Sequence, residues 1–187
     1  MPKIIRDVKD NIFKAAMSLF SQYEYKKVDM KMIAQEAGIA VGTLYNYYEN
    51  KKELYIEILQ TSWEQTFAKL GIIDQMPISP KHKLKKCIEQ LYTDIEIRKG
   101  FGKELMRSNV SDLNRDERIV EFKKALIINL EKHIRSIEKL EKFRRESIDK
   151  KIAEVLLLTI ILLIEVHPHE RNENIEFLID MLNSFIK

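Results

Sequence analysis

The stretch Ile33–Leu54, IAQEAGIAVGTLYNYYENKKEL, decides the fold. Met30, Ile33, Ala34 and Ala37 recur at the i, i+3, i+4, i+7 spacing of one buried helix face, so a helix is expected from about Met30 to Ala37. Asp29 caps its start. Gly38 ends it, because the residue just past a helix end adopts a left-handed conformation that glycine reaches without a Cβ clash. A second short helix is expected from about Val41 to Tyr48, with Leu44 and Tyr48 packed inward and Tyr45 and Asn46 pointing elsewhere. Asn50-Lys51-Lys52-Glu53 has the spacing of a capping box that opens a third helix. Two short helices across a tight turn read as a helix-turn-helix that holds DNA.

The residue types at the turn suit phosphate. Gly42 removes side-chain bulk at a helix N-terminus, where free N–H groups and the helix dipole favour an anion. Thr43 adds a hydroxyl donor. The Lys51 ammonium, at the start of the next helix, is expected to stand free for backbone phosphate.

Taken together, the Ile12, Ala15, Ala16, Leu19, Phe20 helix, Ile33-Ala34, Ala37-Gly38-Ile39, Gly42-Thr43-Leu44-Tyr45, Tyr47-Tyr48 and Lys51-Lys52-Glu53-Leu54 resemble the tetracycline-repressor (TetR) family of one-component bacterial transcription regulators. The resemblance covers about residues 8 to 55. Carried over position by position, it implies base-edge contacts from Lys31, Val41, Gly42, Tyr45 and Asn46, and phosphate contacts from Thr43, Tyr47 and Lys51. Three positions depart from the family pattern. Ala40 stands where a capping serine is common, and losing such a cap typically costs about 1 kcal/mol. Val41 replaces a position often polar or basic, leaving only apolar contact of the kind a thymine methyl accepts. Asp29 replaces a frequent hydroxyl residue; it caps well, but its charge repels phosphate and it is assigned no DNA contact.

Charge agrees with this division. Residues 1–52 hold nine Lys/Arg and six Asp/Glu, a net +3, whereas residues 53–187 hold 23 of each. The whole basic excess sits with the helix-turn-helix. Lys3, Arg6 and Lys9 precede or open the first helix, where a short basic arm would lie along the DNA backbone.

The rest reads as helix after helix, with no alternating strand pattern and no repeat. The expected fold is therefore all-α: an N-terminal three-helix DNA-binding domain over residues 1–50 and a C-terminal bundle for ligand binding and dimerisation over residues 51–187. A helix from Lys51 to about Leu70 is expected to end at Gly71. Ser79-Pro80 reads as an N-cap with proline at the first helical position, ahead of a stripe of Leu84, Ile88, Leu91, Tyr92 and Ile95 that Gly100 terminates. A short helix is expected over about 101–109. Asn114–Glu117 reads as a capping box before the long apolar face of Ile119, Phe122, Leu126, Leu130, Ile134 and Ile137.

Val155–Ile164, VLLLTIILLI, is apolar around its whole circumference and must be covered on every side. It is too short for a membrane span, which needs about 20 apolar residues. The following helix lines up Ile175, Leu178, Ile179, Leu182, Phe185 and Ile186. One short chain cannot cover both helices, so they are expected to pair with their copies in a homodimer, as the resemblance also implies.

A two-fold protein presents two recognition helices to successive major grooves of a palindromic operator. In the family, a small molecule in the C-terminal bundle shifts the connecting helix and disturbs that spacing. Trp63, Phe67, Tyr92, Phe101, Met106, Phe122, Asn129, His133 and Thr159 are the expected ligand-pocket residues, although the same residue types build plain core. The function expected is a ligand-responsive transcriptional repressor, released from double-stranded DNA by a small-molecule effector. The alternatives are a constitutive or architectural DNA-binding regulator without effector and a small-molecule-binding or catalytic helical bundle with a vestigial N-terminal domain. No nucleotide loop, nucleophile elbow or zinc spacing supports an enzyme, and neither cofactor nor metal is expected. Cys87 reads as a buried reduced thiol. His167-Pro168-His169 reads as an interhelical loop rather than a metal site. No signal or transit segment is recognised, so a cytoplasmic protein is expected.

Overall fold

The computed structural model describes residues 7–99, 101–102 and 113–187. Among the described residues eight α-helices follow one another: α1 (Val8–Gln22), α2 (Met30–Glu36), α3 (Val41–Tyr45), α4 (Lys51–Gln75), α5 (Pro80–Ile97), α6 (Glu117–Arg135), α7 (Ile148–Val166) and α8 (Arg171–Asn183). Short 3-10 turns lie at Tyr25–Lys27 and Glu141–Phe143. Among the described residues the only β pairing is an isolated bridge between Lys139 and Ile186. The chain divides into two compact units, residues 1–63 with 101–119, and residues 64–100 with 120–187.

In the first unit α1 buries Ile12, Ala15, Ala16, Leu19 and Phe20, the stripe expected of it. The end of α1 and the 3-10 turn feed an aromatic cluster: Tyr55 meets Phe20 edge-on at 4.8 Å and Tyr25 at 5.0 Å between ring centroids, and Phe101 lies 5.1 Å from Tyr55. The α2 cap is the expected one, with Asp29 Oδ1 accepting the Met32 N–H at 2.8 Å. Gly38 has φ +68°. Gly38 N–H donates to the Gln35 carbonyl and Ile39 N–H to the Ala34 carbonyl, which closes the end of α2 and turns the chain into α3.

Two boundaries differ from expectation. Helix α3 stops at Tyr45, three residues early; beyond it the Asn46 N–H donates to the Gly42 and Thr43 carbonyls, and the Tyr47 and Tyr48 N–H groups donate to the Leu44 carbonyl. Helix α4 runs straight through Gly71 to Gln75. A glycine inside a helix costs about 1 kcal/mol relative to alanine, and burial of Leu70 and Ile73 on either side offsets it. At the start of α4, Asn50 Oδ1 accepts the Glu53 N–H at 3.0 Å. The Glu53 carboxylate does not turn back on the cap; it accepts both arms of the Arg118 fork, at 2.7 and 2.8 Å. Asp116 also binds Arg118, and it accepts from Lys52 at 2.8 Å. This ion cluster holds the Asp116 carboxyl far below its usual range, chiefly through the Arg118 hydrogen bond. Asp116 also accepts the Arg118 N–H at the start of α6, closer to the helix than the Asn114 expected there.

In the second unit α5 starts as expected, with Ser79 as N-cap and Pro80 at the first helical position. It buries Leu84, Cys87, Ile88, Leu91, Tyr92 and Ile95, and packs against both α7 and α8. Burial pushes the Cys87 thiol up to about 12. A polar cluster crosses from α4 to α5: buried Asp94 accepts from Thr66 at 2.7 Å and Lys69 at 2.9 Å, and Arg98 donates to Thr66 Oγ1 at 2.6 Å. Burial raises the Asp94 carboxyl, but these bonds outweigh it and leave it below its ordinary value. Helix α6 ends at Arg135 with Ile137 beyond it, still buried. Gly100 and residues 103–109 of the expected short helix lie outside the described residues. No described helix is long and apolar enough to cross a membrane.

Candidate nucleic-acid interface

The helix-turn-helix sets Leu44 and Tyr48 inward, at 0 % and 6 % exposure. The Tyr48 hydroxyl donates to Glu57 on α4 at 3.1 Å, and burial lifts its pKa to about 12. Neighbouring positions turn outward. Val41 is 36 % exposed, Tyr45 50 % and Tyr47 42 %. Lys31, Gly42 and Asn46 are also exposed, and Thr43 is half-buried. An added Cβ at Gly42 would meet nothing within 4 Å, so glycine there keeps an open surface rather than relieving an internal clash. The expected DNA-contacting residues of α2 and α3 thus occupy the outer side of the motif, presenting a hydroxyl, two phenols, an amide and an ammonium.

Two expectations are corrected. First, α3 has five residues and Ala40 at its N-cap makes no side-chain bond, so the dipole assigned to this helix start is that of little more than one turn. Second, the Lys51 ammonium is not free. It donates to the Tyr25 carbonyl at 2.8 Å and the Val28 carbonyl at 2.7 Å, and sits 4.3 Å from the Tyr25 ring centroid. These acceptors lie more than twenty residues upstream, outside the span of the local motif. Lys9 is exposed beside Glu57 at 3.8 Å; Lys3 and Arg6 lie outside the described residues.

The expected ligand residues fall in both compact units. Trp63 and Phe101 belong to the first compact unit; Phe67, Tyr92, Phe122, Asn129, His133 and Thr159 belong to the second. Met106 lies outside the described residues. Phe67 and Phe122 meet edge-to-face at 6.1 Å. Tyr92 is fully buried and its hydroxyl accepts from Asn174 at 2.9 Å. Thr159 donates to the Val155 carbonyl of its own helix. His133 Nε2 lies 2.8 Å from Asp74 Oδ1, and Lys132 holds the other oxygen at 2.7 Å. Burial lowers the His133 pKa in spite of the carboxylate. The Asn129 side-chain oxygen is buried one turn away.

The second unit instead shows an open groove of about 640 Å³ between α5, α8 and the end of α4, with Ile73, Met76, Ile175 and Ile179 among its apolar walls and Lys85 and Arg171 among its cations. None of the eight described ligand residues lines it. Its lining comes from the end of α4, α5 and α8, with the apolar residues on the first and last of these, so no periodicity within one helix announces it. His167 and His169 sit in an exposed turn, with His167 Nδ1 3.3 Å from Glu170. Among the described residues no group of three or more His, Cys, Asp or Glu is arranged to hold a metal ion.

The family model described as bacterial regulatory proteins, tetR family, matches residues 12–58. An uncharacterized HTH-type transcriptional regulator of Bacillus subtilis (strain 168), YuxN, is 30% identical over 90 residues, covering 48% of this chain and 31% of that protein. The HTH-type transcriptional repressor KstR of Mycolicibacterium smegmatis is 34% identical over 64 residues, 34% of this chain and 31% of that one. The match therefore spans about a third of the length of these curated relatives, which are regulators and not enzymes. The fold extends further. The Bacillus subtilis transcriptional regulator FadR, solved in complex with stearoyl-CoA, superposes with a TM-score of 0.68 at 20% identity, over 91% of this chain and 97% of that one. The tetR-family match thus lies in the N-terminal residues 12–58, and over the rest of the chain the likeness is one of fold.

Proposed function

We propose that the protein is a ligand-responsive transcriptional repressor that binds palindromic operator DNA as a homodimer and is released by a small-molecule effector. Residues 1–50 read DNA, and residues 51–187 carry the effector site and the dimer contact. The observation that carries the DNA reading is the outward row of Lys31, Val41, Gly42, Tyr45, Asn46 and Tyr47 beside half-buried Thr43, on a motif whose inner face is closed by Leu44 and Tyr48. Tyr45, Asn46 and Lys31 meet base edges, Val41 and Gly42 approach closely, and Thr43 and Tyr47 donate to phosphate.

Exposed hydrocarbon supports the dimer. Val155, Leu158, Leu162 and Val166 of α7 are 45–57 % exposed and form one stripe at i, i+3, i+7, i+11, and Phe177 of α8 is exposed to a similar degree. A symmetric partner buries such a stripe against its own copy.

The test combines sedimentation with anisotropy titration of DNA from the gene's own upstream region against random competitor. The reading expects two protomers per site and preferential binding at modest ionic strength. Adding stearoyl-CoA, the molecule bound in the FadR structure, is the first effector trial, and a saturable fall in operator affinity is the expected response. A monomer without promoter preference overturns the reading; a preference that no acyl-CoA or related amphiphile alters leaves a constitutive regulator.

A further inference from the structure

We propose that Lys51 is a positioning residue, which sets the DNA-reading surface through two backbone carbonyls instead of binding phosphate itself. The inference rests on the DNA-binding reading above.

The 3-10 turn Tyr25–Lys27 joins α1 to α2, and the carbonyls of Tyr25 and Val28 both accept from Lys51. Val28 has no exposure and Tyr25 only 5 %, so water is a poor substitute there. The Lys51 ammonium donates to both, at 2.8 and 2.7 Å, and rests on the face of the Tyr25 ring. A compact tetrahedral ammonium suits this cradle, because its three hydrogens diverge while the ring attracts the charge. Two carbonyl dipoles and an aromatic face already meet the cation, and reaching a phosphate would require breaking those contacts.

The placement explains why the cradle matters for reading. Recognition helix α3 has five residues and no hydroxyl cap, so little in its own backbone fixes its direction. It is held through Leu44 and Tyr48, the latter hydrogen-bonded to Glu57 on α4. The first two turns of α4 therefore grip α3 through Glu57 and the α1–α2 connector through Lys51. Loosening the Lys51 grip frees the connector that leads into α2, and with it the angle at which α3 is presented.

The two roles differ in salt dependence. A phosphate contact releases counterions, so removing it lowers the slope of log K against log salt by about 0.9 per protomer, close to 2 for a dimer. A positioning residue changes affinity and leaves that slope alone. The experiment uses full-length Lys51→Met and operator DNA at several salt concentrations, well below the variant's melting temperature. The expected result is about a tenfold loss of operator affinity with an unchanged salt slope, together with faster amide exchange at residues 25–31 of the DNA-free protein. A slope reduced by one or more overturns the proposal in favour of direct phosphate contact. An unchanged affinity, whatever the melting temperature does, overturns it in favour of a purely structural lysine. If Lys51→Met does not fold, Lys51→Gln retains a neutral donor for one carbonyl and carries the same readouts. Failure of the wild-type protein to prefer its operator is a separate result, and overturns the DNA-binding reading on which this one stands.

Discussion

The two compact units finish their surfaces in opposite ways. In the first, the large exposed nonpolar residues among those described are Tyr23, Val41, Tyr45 and Tyr47. Three of the four carry a hydroxyl, and such rings tolerate water while offering a donor to a polar partner. In the second, Ile72, Ile97, Val120, Ile128, Val155, Leu158, Leu162, Val166 and Phe177 are exposed, and all are plain hydrocarbon. One surface suits a wet, polar partner and the other a dry one. On the function proposed above, side-chain chemistry alone would separate reading from pairing.

The sharpest way to break this contrast is to make the hydrocarbon stripe polar. Leu158→Glu combined with Leu162→Glu puts two carboxylates at the centre of the α7 stripe, where a two-fold axis would bring them against their copies. Dimer dissociation should strengthen at least a hundredfold, about 2.7 kcal/mol, as read by sedimentation equilibrium. Both leucines are about half exposed in the single chain, and substitutions at such surface positions usually change the stability of the chain itself by less than about 0.5 kcal/mol. A dimer that persists would mean that the stripe faces something other than a second copy.

A smaller effect sharpens the contrast from inside the second unit. His133 is 4 % exposed, and burial lowers its pKa below the ordinary 6.5. Its folded state therefore prefers the neutral imidazole, and the unfolded chain takes up a proton first as the pH falls. The stability due to this group is complete above about 6.5 and declines as the pH drops through that value toward the folded pKa. Asp94, Asp116 and Glu53 have lowered pKa values, so their contributions fade only below the ordinary carboxylate range. Between pH 7.5 and 5.5, thermal unfolding should show a loss of stability that His133→Gln reduces. An identical pH dependence in the variant would remove His133 as its source.

What was legible in the sequence follows the range of the interaction. Asp29, Gly38, Ser79 and Pro80 act within four residues of where they stand, and each does what local rules require. The apolar stripes of α1 and α5 were legible because periodicity survives whatever they pack against. The end of α4 was not: Gly71 signals a stop locally, while Leu70 and Ile73 are held by contacts that no window around them contains. The partners of Lys51 and Glu53 were hidden for the same reason, since they lie at Tyr25, Val28 and Arg118. The ligand-pocket residues carry no such local signature, because aromatic and polar residues at helical spacing meet one another in the core as readily as they meet a ligand.

Ala40 offers the smallest test and the most discriminating one for the reading surface. Its backbone, at φ −69° and ψ 146°, already has the extended conformation of an N-cap, yet it supplies no acceptor to the N–H groups of α3. Ala40→Ser should add that acceptor without moving the chain, for a gain of about 0.5–1 kcal/mol, seen as a rise of about 1–4 °C in melting temperature. Ala40→Gly is the control, because glycine caps nearly as well as serine but brings no hydroxyl. If both variants gain operator affinity equally, the benefit is a better-formed α3. If only serine gains, and its salt slope stays unchanged, the hydroxyl donates to phosphate as a neutral group, and the outer surface of the motif extends to position 40. If neither gains, α3 is already held as firmly as binding requires by Leu44, Tyr48 and the α4 platform, and the contrast between the two units is one of surface chemistry alone.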